Sequence, residues 1–209
     1  MRTKVNLLVA AMMVGLFGSA SAQRVSLTPD IGLYVPTAQL INLASGGTTG
    51  VLEQKVSLSV GGKLDVWFTE RFGVQGTGTY APSQLSAGFG GLGASTDANL
   101  FMGSGRLTYY VLPRTSLISF QVNGGVGWLK RSGQAYADVD DTSDITGTLG
   151  AAVGLRLGPL FSVRVSGESY LYKPDFVAAS LTDVATQNDF NLSIGVGVPL
   201  LGLGSSSGN

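Results

Sequence analysis

Apolar residues recur at every second position, segment after segment, along most of this 209-residue chain. That period fits a β-strand with one apolar face and does not fit a helix, whose apolar positions return every three to four residues. The clearest run is Phe190, Leu192, Ile194, Val196 and Val198, separated by Asn191, Ser193, Gly195 and Gly197. From Ile145 to Leu157, the set Ile145, Leu149, Ala151, Val153, Leu155 and Leu157 opposes Thr146, Thr148, Gly150, Ala152, Gly154 and Arg156. Segments 55–68, 117–129 and 161–172 alternate likewise, with Lys63, Asp65 and Trp67 on the polar face of the first and Arg164, Glu168, Tyr170 and Tyr172 on that of the last. Residues 25–35 alternate around Pro29, a residue tolerated in a strand only at an edge, an end or a bulge. Segments 72–80 and 99–111 keep the period but are diluted by glycine. Eight strands result, each near the roughly 9–11 residues that a tilted strand needs to cross a bilayer.

The connections alternate in length. Residues 69–71, 112–115 and 158–160 are short turns, whereas 36–54, 81–98, 130–144 and 173–188 are long and rich in Gly, Ser, Thr, Asp and Ala. Short turns on one side and long loops on the other are the asymmetry of an outer-membrane barrel. Phe68, Phe72, Tyr109 and Phe161 lie beside the short turns; Tyr34, Tyr80, Phe101, Trp128, Tyr170, Tyr172 and Phe190 lie near the long ones. They are assigned to the two aromatic girdles of such a barrel. The fold class expected is all-β: a closed antiparallel up-and-down transmembrane β-barrel of eight strands.

The start of the chain agrees with export. Arg2 and Lys4 precede an apolar stretch from Val5 to Phe17, too short for a membrane helix. It ends in Ala20-Ser21-Ala22, a small-x-small cleavage pattern, so residues 1–22 are read as a signal peptide and 23–209 as a single domain with a short C-terminal tail. Removing Arg2 and Lys4 from 13 basic and 13 acidic residues leaves a slight acidic excess, which excludes a nucleic-acid binder. Charged residues are only 12%, and no apolar run after residue 22 is long enough for a spanning helix. A closed barrel is then the one structure that spans a bilayer with every backbone group satisfied.

The polar faces point into a lumen just wide enough for side chains. By alternation, Asp30, Lys63, Asp65, Arg106, Arg156, Arg164 and Glu168 face inward. Buried charges need partners, so an ion-pair network plugging the lumen is expected, centred on Glu168 and Arg164. Two alternatives stand beside it: a narrow channel for ions or small solutes, and a soluble periplasmic lipid carrier, which would turn its apolar faces inward. Lys130 and Arg131, just beyond Trp128, are candidate contacts for lipid phosphates. Asp138, Asp140, Asp141 and Asp144 fail as a calcium loop, because Ser143 and Leu149 stand where Gly and Glu are required. Gly88, Gly90 and Gly93 imitate a dinucleotide fingerprint without a following helix and are read as a flexible loop. The chain has no Cys and no His. Disulfides, Cys-ligated metals and Ser–His–acid catalysis are therefore excluded, and Lys63 beside Ser57 or Ser59 is not positioned as a Ser–Lys pair. No enzyme, cofactor or metal site is expected.

Strand number, alternating loop length and signal peptide together resemble the OmpA/OmpX-type outer-membrane barrels over residues 24–200. The resemblance implies a monomer in the cell outer membrane, surrounded by outer-membrane lipid and lipopolysaccharide and inserted by the barrel-assembly machinery. It implies a structural or surface-interaction role, with the barrel as anchor and four loops outside. The lipid A deacylase and palmitoyltransferase barrels share this architecture but rely on a His, which this chain lacks.

Overall fold

The computed structural model describes residues 24–37, 41–45, 48–89, 92–114, 116–137, 143–158, 160–173 and 186–201. The signal peptide, Asp138, Asp140 and Asp141, most of the 173–188 connection and the C-terminal tail lie outside the described residues. In chain order the strands are β1 (Arg24–Pro36), β2 (Ile41–Ser45), β3 (Thr48–Gln54), β4 (Ser57–Trp67), β5 (Phe72–Ala81) and β6 (Gln84–Phe89). They continue with β7 (Leu92–Asp97), β8 (Asn99–Leu112), β9 (Ile118–Ser132), β10 (Ser143–Arg156), β11 (Ser162–Tyr172) and β12 (Gln187–Leu201).

Eight of these close into an antiparallel barrel in the order β1-β12-β11-β10-β9-β8-β5-β4, with β1 returning to β4. They are the eight alternating segments of the sequence. Pro29 sits inside β1 opposite Gly62 of β4, and at Thr28–Pro29 the ladder to β12 is interrupted between Leu27–Val198 and Asp30–Gly195. A residue with no N–H thus falls where no bond to β12 is asked of it.

The barrel is apolar outside and polar inside. Ile31, Leu58, Leu107, Val126, Ile145 and Leu149 face outward and are exposed, whereas Thr28, Lys63, Asp65, Gln75, Arg106 and Glu168 are buried. Alternation continues through all eight strands, so one residue of register decides which set faces outward. The carrier alternative required the opposite arrangement. Phe72 and Tyr109 near the short turns, and Phe101 and Trp128 near the long ones, pair on the outer wall at centroid distances of 4.9 Å and 5.7 Å. Tyr34, Tyr170 and Tyr172 do not join the girdles, because their own alternation places them inside, where all three are buried.

The expected loops 36–54 and 81–98 contain strands instead. β2, β3, β6 and β7 form a separate four-stranded sheet in that order. This sheet prolongs the β4–β5 pair beyond the barrel. Pairing passes from Val60–Tyr80 to Gln54–Leu85 with one extra residue on the β3–β4 side, a β-bulge. The amide of Lys55 donates to the carbonyl of Gln84 at 2.9 Å, and Ser83 Oγ to the carbonyl of Lys55 at 2.7 Å, carrying the ladder across the bulge. Gly88 and Gly93, read as part of a flexible loop, face each other within the β6–β7 hairpin. The pairing comes from an existing ladder rather than from local alternation, which these glycine-rich segments barely show. At the end of β9, Gly133 adopts φ 110°, and the chain folds into a 3-10 turn at Gln134–Tyr136 that packs against β7 and β9.

Candidate functional site

The lumen is filled in tiers from the short-turn end to the long-loop end. Lowest lie Trp67 and Tyr110, rings 4.6 Å apart, with the Arg114 guanidinium 5.8 Å from the Trp67 ring. Above them Asp65 accepts hydrogen bonds from Arg164 at 2.8 Å and from Gln75 at 2.7 Å.

The middle tier centres on Glu168. Its carboxylate lies 3.3 Å from Lys63 Nζ and 3.2 Å from Arg106 Nη1. Lys63 also pairs with Asp30 and donates to Ser193 Oγ at 2.9 Å. Arg106 donates to Tyr170 Oη at 2.9 Å and Asn123 Oδ1 at 3.3 Å. Three cations (Lys63, Arg106, Arg164) thus meet three carboxylates (Asp30, Asp65, Glu168). Such burial is tolerable because every charge has a counter-charge and further hydrogen bonds. Glycine makes the room: a Cβ at Gly150 would stand 2.7 Å from Asn123 Oδ1 and 3.4 Å from Arg106 Nη1.

At the long-loop end, Asp189 accepts hydroxyl bonds from Tyr34 at 2.6 Å and Tyr172 at 2.8 Å. Arg131 pairs with Asp144 and stands 5.1 Å from the Tyr172 ring. On the opposite arc the lining is apolar, with Ala81, Leu100, Met102 and Leu129 buried against Tyr34, Tyr170 and Tyr172. Tyr136 of the 3-10 turn lies at this mouth; burial raises its hydroxyl pKa above the ordinary value, against the opposing pull of Arg131.

The structure brings together six of the seven residues expected in the lumen network: Asp30, Lys63, Asp65, Arg106, Arg164 and Glu168. Arg156, the last residue of β10, is the exception; it is half-buried and donates to the carbonyl of Arg114 at 2.6 Å. Arg164 and Glu168 share a face but not a tier, because four residues of strand separate them by roughly 13 Å. Arg131 does not face outward. It alternates with Lys130, so Lys130 is exposed outside while Arg131 is buried inside on Asp144. Asp189 was missed altogether, although carrying the Phe190 alternation back by one residue places it in the lumen.

No protein-family model and no curated protein sequence matches the chain. Among solved structures it is similar to the outer membrane protein OprG from Pseudomonas aeruginosa, at 13% identity and a TM-score of 0.61, covering 87% of this chain and 97% of that one. It is similar to the outer membrane protein AlkL, solved in DMPC lipid bilayers, at 15% identity and a TM-score of 0.54, covering 91% of this chain and 96% of that one. Neisserial surface protein A shares 13% identity with a TM-score of 0.50, covering 86% and 98%. At these identities the likeness shows the fold, a closed eight-stranded barrel of the outer-membrane type.

Proposed function

We propose that the chain is an exported outer-membrane barrel, cleaved after Ala22, whose lumen is plugged by charge and whose role is structural or surface-directed. The observation that supports the plug is the Glu168 carboxylate, held between Lys63 and Arg106 from two arcs of the wall. Ions crossing this tier would have to separate buried pairs, and stranding one buried charge costs about 3–5 kcal/mol. The surface offered to the exterior is the sheet of β2, β3, β6 and β7. With neither His nor Cys in the sequence, the role is read as non-catalytic.

A narrow channel is the second reading. It draws on a polar strip along β8–β10, where the side-chain oxygens of Thr108, Gln121, Thr146 and Thr148 are buried without a protein partner. Buried polar groups of this kind take up water.

Membrane fractionation, unboiled and boiled detergent gels and planar-bilayer recording test these readings together. Enrichment in the outer membrane, a mobility shift on boiling and no steady conductance support the plugged barrel. Steady conductance replaces the plug with the channel. Release into the periplasm without a shift overturns the membrane reading.

A further inference from the structure

At the long-loop end the barrel sorts its charges by face. Asp144 and Asp189, the carboxylates of the barrel strands at this end, point into the lumen at 2% exposure each. Arg131 goes with them. Lys130 of β9 and Lys173, just past β11, are exposed, and neither has a carboxylate within ion-pair distance among the described residues. The outward wall here therefore carries positive charge with no counter-charge from the barrel strands.

The register places these lysines close together. Ile145 of β10 pairs with Trp128 of β9, and Ser143 with Lys130. On the other side of β10, Gly147 pairs with Leu171, and continuing that register two residues puts Lys173 level with Ile145. The two lysines flank one strand, offset along it by two residues and so about 12 Å apart between backbones at the usual strand spacing and rise. Between them stands Ile145, 82% exposed. Trp128 and Phe101, which mark the membrane interface, lie beside Lys130. Below, toward the middle of the barrel, the small residues Gly147, Ala151 and Gly167 share the outer face with the exposed Leu149.

We propose that Lys130 and Lys173 form a headgroup site for an outer-leaflet lipid bearing an anionic phosphomonoester, with its acyl chains lying on the outer face of β10. The proposal rests on the membrane reading above. Ammonium groups at this depth attract anionic headgroups, about fivefold in binding per lysine near the surface. A phosphate reaching both lysines from one lipid keeps its chains over Ile145 and Leu149, which are otherwise bare. The apolar wall and the cations thus call for one amphiphile, where a soluble anion would use only the lysines.

The test uses the full mature chain refolded in detergent and mixed with phosphatidylcholine containing phosphatidic acid; lipid retained per protein is counted by native mass spectrometry. Phosphatidic acid is expected to be retained over phosphatidylcholine. Lys130→Gln or Lys173→Gln is expected to lower that preference about fivefold, and the double variant to abolish it. Lys55→Gln, altering an exposed lysine on the opposite arc, is expected to change nothing. All variants are expected to keep the boiling shift, since no lumen contact is altered, and this shift tests the barrel itself separately. Equal retention by the double variant and the wild type overturns the site. So does complete displacement by millimolar inorganic phosphate, which assigns the lysines to a free anion.

Discussion

Glu168 and Arg106 meet 3.2 Å apart in the lumen although their strands, β11 and β8, stand three places apart in the ring. Lys63 reaches the same carboxylate from β4, three places away in the other direction. One side chain therefore ties the two arcs of the wall together through space, independently of the ladder.

Neutralising Glu168 leaves Arg106 buried without its counter-charge, while Lys63 keeps Asp30. Glu168→Gln is expected to destabilise the barrel by about 3–5 kcal/mol, read as a lower temperature for loss of the fast-migrating band on unboiled gels. Arg106→Gln strands the carboxylate less severely, because Lys63 remains. The double variant is expected to lose less than the two single losses added, since the second change removes a cation stranded by the first. Strict additivity would show that the two residues do not act as a pair.

The eight barrel strands and the inward set were legible because a strand's period of two leaves little choice: once Leu64 and Val66 face outward, Lys63 and Asp65 face the lumen. The same rule was not carried far enough at Tyr34, Tyr170 and Tyr172, assigned to the girdles by nearness to a loop although each stood on a polar face. It was broken at Lys130 and Arg131, consecutive residues that cannot share a face. Pairing partners were beyond reach. That Arg164 meets Asp65 rather than Glu168 depends on the stagger of strands around the ring, which no single segment encodes. The outer sheet was illegible for a related reason: β6 and β7 hold their shape through a ladder inherited from β5, while their glycines and serines carry little alternation of their own.

Two glycines on neighbouring strands are expected to respond oppositely to a methyl group. Gly61 faces the lumen, where a Cβ would stand 2.6 Å from the carbonyl oxygen of Gly78 and 3.0 Å from Asp30 Oδ1. Backbone cannot step aside as a flexible side chain can, so Gly61→Ala is expected to cost about 1–3 kcal/mol and to reduce the heat-modifiable fraction after refolding. Gly78 faces outward with nothing within 4 Å of a Cβ. Gly78→Ala is expected to be neutral or to stabilise by up to about 1 kcal/mol, because glycine inside a strand loses more chain entropy on folding. Equal responses would mean that the lumen around Asp30 is looser than the structure has it.

The barrel closes by pairing its first strand with its last, and Asp189 stands at that seam. Tyr34 of β1 donates to it across the seam at 2.6 Å, while Tyr172 of β11 donates to the same oxygen at 2.8 Å from the other side. Each is a bond to a charged acceptor, worth about 1.5–3 kcal/mol, so Tyr34→Phe and Tyr172→Phe are expected to lower global stability by similar amounts. Their local effects are expected to differ. Only Tyr34 bridges strands from opposite ends of the chain, so Tyr34→Phe is expected to speed amide hydrogen exchange in β1 and the outer half of β12, leaving β10 and β11 protected. Tyr172→Phe is expected to loosen β11 against β12 while the seam stays shut. Should both variants open the seam equally, the closure depends on how Asp189 itself is held, because a carboxylate released by either tyrosine turns away from both.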